Sequence, residues 1–235
     1  MIKNMFNNKY SKTLTIILII VIIVIIGLLI FFGIDVYRKY YIEQASGDAV
    51  REFEDKINEI ASVPQGNTVL TNELPNVDLN SIYGNQGTQQ NDITGSGVKY
   101  MGYDMIGTIE IPATDVKYPI IADYETSINS LNVAIVKLYP STIALNEIGN
   151  TVLVGHNYRN GTFFSNNKKL EKGDKIYITD LSGRKVTYAV TKKYETSTSD
   201  SEYMNRDTNG KREISLSTCT DDTKRRLIIW AEEVE

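Results

Sequence analysis

The sequence predicts a mainly β domain behind a single N-terminal membrane-spanning helix. Three observations carry that expectation. An uncharged apolar run lies near the N-terminus, a long polar stretch follows it, and eight short apolar or alternating segments, parted by turn signals, fill the remainder. Alternation with period two is the mark of half-buried strands, and many short strands in succession build a closed barrel or a sandwich.

The apolar run is Thr13 to Ile34, 22 residues of almost continuous Ile, Leu, Val and Phe. That length spans a hydrocarbon core as a helix, and a helix satisfies its own backbone there. Lys3, Lys9 and Lys12 precede it without an acid, whereas Asp35, Arg38, Lys39 and Glu43 follow it. The positive-inside rule then puts residues 1–12 in the cytoplasm and everything after the anchor outside the cell. A cleaved signal peptide is the competing reading, but its apolar region is normally shorter and ends in small residues. Gly33-Ile-Asp-Val36 is a poor cleavage site. A retained single-pass anchor over 13–34 is therefore expected.

Residues 35–61 read as a juxtamembrane helix. Val50, Phe53, Ile57 and Ile60 recur at spacings of three and four, giving a narrow apolar stripe that fits either an extension of the anchor or a helix packed on the domain, or else a solvated stalk. Residues 62–98 change character: Asn, Gln, Gly, Ser and Thr dominate, and Asn85 to Asn91 is nearly pure polar. Such a segment cannot bury enough apolar surface to offset its ordering entropy, so a flexible tether is expected.

From residue 99 to 235 the strands follow in order. Ile106–Ile111 alternates and stops at Pro112; Val116–Ile121 carries Pro119, which marks an edge or a bulge; Val133–Leu138 and Thr151–Gly155 come next. Lys175–Asp180 and Lys185–Val190 flank Leu181-Ser-Gly-Arg184, a hairpin signature. Glu213–Thr218 and Arg226–Glu233 complete the set, after a long polar connection over Tyr194–Lys211.

Charge excludes one class of partner. The first 34 residues hold three of the 25 basic and none of the 29 acidic residues, leaving 22 against 29, a net of −7, for the remainder. An acidic domain with no basic stripe is not built for nucleic acid.

The chain has one cysteine, Cys219, and one histidine, His156. An exported domain with a single cysteine has no internal disulfide, so its thiol is either buried or used. Cysteine attacks as a thiolate, which a nearby imidazole or cation promotes. Arg226 opens the strand after Cys219, with Thr220–Lys224 as the intervening turn; on antiparallel neighbours the two side chains would meet. A guanidinium there can hold a developing oxyanion. Taken singly, each of the three has a bland reading as a buried hydrophobe, a strand-end residue or a solvated charge. Asp221-Asp222 offers too few oxygens for calcium, and one His with one Cys cannot make a zinc site, so no metal or cofactor is expected.

Leu216-Ser-Thr-Cys219 followed by Arg226 resembles the sortase signature, in which Thr-Cys ends a strand and an arginine opens the next. Val154-Gly-His-Asn157 resembles the family's histidine motif, and Gly107-Thr-Ile-Glu-Ile-Pro112 its first barrel strand. The likeness covers Tyr100 to Glu233. It implies a closed sortase-type β-barrel with short helices and a membrane-anchored cysteine transpeptidase. Cys219 would attack a carbonyl in an LPxTG-like C-terminal sorting motif, His156 would serve as acid and base, and Arg226 would stabilise the tetrahedral intermediate. The acyl group would pass to an amine of a peptidoglycan precursor or a pilin. Thr218, Tyr203 and Met204 are the implied substrate contacts. Gly155-His-Asn157 and Leu216 to Thr220 resemble class B, whereas the short path from Asn157 to Lys175 lacks the long insertion of that class and is more similar to class D or an unassigned clostridial-type branch. Two other functions compete. A peptidoglycan L,D-transpeptidase would keep its His and Cys close, but 63 positions separate them here. A non-catalytic adhesion module would bury Cys219.

Overall fold

The computed structural model describes residues 9–62, 97–122 and 128–234. The expected tether, apart from its ends, and most of the expected cytoplasmic segment lie outside these residues. Two compact units divide between Ile42 and Glu43.

In the first unit, helix α1 (Lys9–Ser62) begins. Large apolar side chains along it, from Leu14 to Ile34, are all exposed, as in a helix whose whole circumference is meant for an apolar solvent. Among the described residues this is the one helix long and apolar enough to cross a membrane. Tyr37, Tyr40 and Tyr41 follow, also exposed, as in the aromatic girdles at membrane boundaries.

In the second unit the last turns of α1 pack on the β domain. Ala49, Phe53 and Ile57 are buried in one cluster with Val98, Tyr100, Met105, Ile121, Ala134 and Val136. The apolar stripe read from Val50, Phe53 and Ile57 is thus a packing face, not the surface of a solvated stalk. Lys117 joins it to the barrel through Glu54 at 3.1 Å, and its carbonyl accepts from Ser46 Oγ at 3.5 Å.

Among the described residues the β domain has nine strands: β1 (Lys99–Tyr100), β2 (Tyr103–Ile111), β3 (Val116–Ala122), β4 (Ile135–Tyr139), β5 (Gly149–Val154), β6 (Lys175–Asp180), β7 (Lys185–Ser197), β8 (Arg212–Cys219) and β9 (Arg225–Glu233). A short helix α2 (Ile128–Leu131) precedes β4, and 3-10 turns occupy Pro112–Thr114 and Asn167–Lys169. The strand order β2-β3-β4-β5-β8-β9-β7-β6 closes on itself because β6 also pairs with β2, making an eight-stranded barrel with β1 appended to β2. Closure is tight at Gly107, where an added Cβ would strike the Thr179 carbonyl and sit 2.6 Å from Leu145 Cδ1.

Paired residues share a face, so the registers identify the inner wall: Ile109 with Tyr118 and Ile178, Lys137 with Leu153, Leu153 with Leu216, Leu216 with Ile229. All are buried. Pro119 falls where β3 pairs only with β2, since the β4 ladder starts at Ile120, so its missing N–H costs no bond on that side. The hairpin at Leu181–Arg184 forms as read, closed by Asp180 N–H to the Arg184 carbonyl at 3.1 Å.

One boundary differs from the sequence reading. Tyr194–Ser197 belongs to β7, not to the polar connection, because these residues ladder onto Arg225–Ile228 of β9. A polar composition conceals a strand whose partner, not its own pattern, orders it.

Candidate active site

Strand β8 ends at Cys219, and β9 opens at Arg225. The ladder pairs Cys219 directly with Arg226. Arg226 Nη1 lies 3.5 Å from Cys219 Sγ, within hydrogen-bonding reach of sulfur. The antiparallel pairing anticipated from the sequence is present, and the guanidinium faces the thiol. The turn between them is self-bonded: Thr220 N–H donates to the Arg225 carbonyl at 3.0 Å, and Arg225 N–H to Thr220 Oγ1 at 3.1 Å.

The imidazole arrives on the other side of β8. Strands β5 and β8 run parallel with Val154 opposite Ser217, and Gly155 N–H continues the ladder to the Ser217 carbonyl at 3.2 Å. His156 follows two residues beyond Val154, past the end of β5, in the loop that leaves this end of the ladder. Glycine at 155 is required by packing, since a Cβ there would lie 2.6 Å from Ile135 Cδ1 and 2.9 Å from Phe164 Cδ2. The His156 carbonyl accepts from Phe164 N–H at 3.1 Å, and its ring sits 4.9 Å from that of Tyr158. Tyr158 OH donates to Asn132 Oδ1 at 2.7 Å, fixing the aromatic that flanks the imidazole.

Alternation along β8 sends Ser215, Ser217 and Cys219 to the outer face. There Val152 and Ile228 pack with Tyr203, and half-buried Leu138, Tyr139, Val154, Tyr194, Met204 and Trp230 surround them. Tyr203 is buried, its OH 3.4 Å from Ser217 Oγ, while Met204 stays partly open on the same surface. Asn150 Nδ2 holds both segment carbonyls, Tyr203 at 2.9 Å and Met204 at 3.0 Å. The connection between β7 and β8 thereby caps an apolar surface that leads to the thiol. Thr218 alternates to the inner wall and is buried.

Residues 109–234, more than half of the chain, match the profile of the Sortase domain. The chain belongs to the sortase family.

Among curated relatives, this sortase is 34% identical to Sortase A of Bacillus anthracis over 131 residues, which is 53% of this chain and 58% of that protein's length. Solved sortases share the fold. A Clostridium perfringens Sortase D5 transpeptidase superposes with a TM-score of 0.56 at 23% identity, covering 82% of this chain and 99% of that one. Sortase A from Corynebacterium diphtheriae, a lid mutant, gives 0.52 at 23% identity, covering 81% of this chain and 96% of that one.

Sequence reasoning missed one feature of this sortase's site: the side chain of Asn157. Its Nδ2 donates to the Cys219 carbonyl at 3.0 Å and to Asp221 Oδ1 at 2.9 Å. Asp221 also receives Lys168 Nζ at 2.5 Å, and its carbonyl receives Arg159 Nη1 at 3.3 Å. Lys168 first, then Asn157, holds the Asp221 carboxyl below the usual range. The only sequence signal was an amide directly after the histidine.

Proposed function

We propose that the protein is a membrane-anchored extracellular cysteine transpeptidase that joins surface proteins bearing an LPxTG-like sorting motif to an amine. The observation that carries this reading is the Cys219–Arg226 contact in a sortase-family barrel, with His156 on the loop that follows β5, the parallel neighbour of β8. Cys219 thiolate attacks the scissile carbonyl carbon, and Arg226 stabilises the resulting oxyanion. The carbon–nitrogen bond then breaks as His156 delivers a proton to the departing amine, leaving a thioacyl-enzyme. An amine from a peptidoglycan precursor or a pilin lysine attacks the thioester and gives its proton to His156. The carbon–sulfur bond breaks and a new amide forms. Water in place of the amine gives slow hydrolysis.

The apolar surface around Met204 and Val154 suits the apolar residues of such a motif, with Tyr203 as its buried floor, while the backbone of Thr218, next to the nucleophile, is the proposed substrate contact of that buried residue. Thr13–Ile34 is the anchor, residues 62–98 the tether, and the lysines before the anchor keep residues 1–12 in the cytoplasm. Incubating the protein with a panel of sorting-motif peptides and an amine, read by mass spectrometry, tests the reading. The expected result is an amide product and a trappable thioacyl adduct on Cys219, both lost in Cys219→Ala. Retained transpeptidation in Cys219→Ala would overturn the mechanism.

A further inference from the structure

We infer that Asn157 is a positioning residue: it locks the turn that joins the nucleophile to the guanidinium onto the loop that carries the imidazole. This rests on the transpeptidase reading above. Both amide hydrogens of Asn157 are committed to the Cys219 turn, one to the Cys219 carbonyl and one to Asp221. Its Oδ1 is committed to its own loop, accepting from Arg159 N–H at 3.0 Å. The side chain is thus a three-way joint with a single orientation, because reversing the amide would set its oxygen against the Cys219 carbonyl.

Why a joint is needed follows from the ladder. The β5–β8 ladder ends at Val154 and Ser217, two residues short of His156 and Cys219. Past that point Gly155 N–H makes the last backbone bridge between the two strands; His156 lies beyond the end of β5, and Cys219 keeps its ladder rung to β9 alone. The Asn157 contact re-establishes a cross-strand bond one residue beyond His156, to the backbone of Cys219 itself. Arg159 and Lys168 add two more donors from the same loop to Asp221, so the link spans the whole turn. The three reactive side chains are then held by two rigid connections, the β8–β9 rung and this joint. Misplacement by a fraction of an ångström to about an ångström is enough to cost a catalytic site much of its rate.

The test uses the full chain in detergent, measuring iodoacetamide alkylation of Cys219 across pH, peptide transpeptidation, and thermal melting on the same samples. Asn157→Ala should lower kcat at least tenfold with KM within about twofold, and should shift the pH profile of alkylation. The exchanged pair Asn157→Asp with Asp221→Asn restores an amide–carboxylate link but leaves no donor for the Cys219 carbonyl. It should regain melting temperature and not rate. The inference is overturned if Asn157→Ala keeps the wild-type profile and kcat, if its loss of rate only follows its loss of folded protein, or if the exchanged pair recovers full rate. A wild-type protein with an unreactive thiol and no product would instead sink the transpeptidase reading, and the melting temperatures of the variants would still report on the joint.

Discussion

A rung of an antiparallel ladder fixes the separation of two side chains better than a loop can, and Cys219 and Arg226 share one. The guanidinium's directionality therefore matters more than its charge. Arg226→Lys keeps the charge but shortens the planar fork to a point donor. Acylation should fall about 10²-fold, the scale of losing one oxyanion donor, while the melting temperature stays within about 1 °C because the residue is only half-buried. Burst-phase acylation kinetics alongside calorimetry measure both; an unchanged burst rate would show that the arginine does not touch the reacting carbonyl. Cys219, His156 and Arg226 stand out in the sequence because two of them are unique and the third opens the next strand, and the fold brings Cys219 and Arg226 into contact. The part played by Asn157 was not, since a motif names the residue but not the backbone atom its amide will meet 62 positions away.

Among elements, the docked part of α1 and the barrel wall share a core. Phe53 is fully buried in it, against Tyr100, Met105 and Val136. Phe53→Ala leaves a cavity there and should cost about 3–5 kcal/mol, read as a lower urea midpoint with unchanged slope. A stalk helix merely lying in solvent would lose almost nothing. The spacing of Val50, Phe53 and Ile57 showed that this helix had an apolar face, but only the fold shows what covers it. The strands were legible for a similar reason: β6 and β7 alternate around a Ser-Gly turn, so local chemistry specifies the hairpin. The end of β7 was not, because Tyr194–Ser197 takes its order from β9.

Across the whole molecule, barrel closure places a lysine in the inner wall. Lys137 is fully buried, its ammonium donating to the Pro140 carbonyl, and burial pulls its pKa from 10.5 to about 8. Between pH 8 and 10.5 the unfolded chain therefore holds more protons than the folded one, so this group makes stability rise with pH in that window. Below pH 8 both states are charged, and the cost of the buried ammonium is present in full. Tyr118 acts oppositely: burial raises it to about 12, so its contribution is complete below pH 10 and is lost between 10 and 12. Melting curves of wild type and Lys137→Met should show the wild type gaining on the variant from pH 8 to 10; a constant gap would refute the assignment. Closure has a temporal side as well. The parallel pairing of β5 with β8 joins segments 63 residues apart, and in the proposed mechanism it brings the imidazole to the thiol. A chain whose barrel has not closed thus carries Cys219 without the neighbours that the proposed mechanism gives it. In that mechanism transpeptidation arrives last, as a product of completed folding, and a half-folded copy carries only an ordinary thiol.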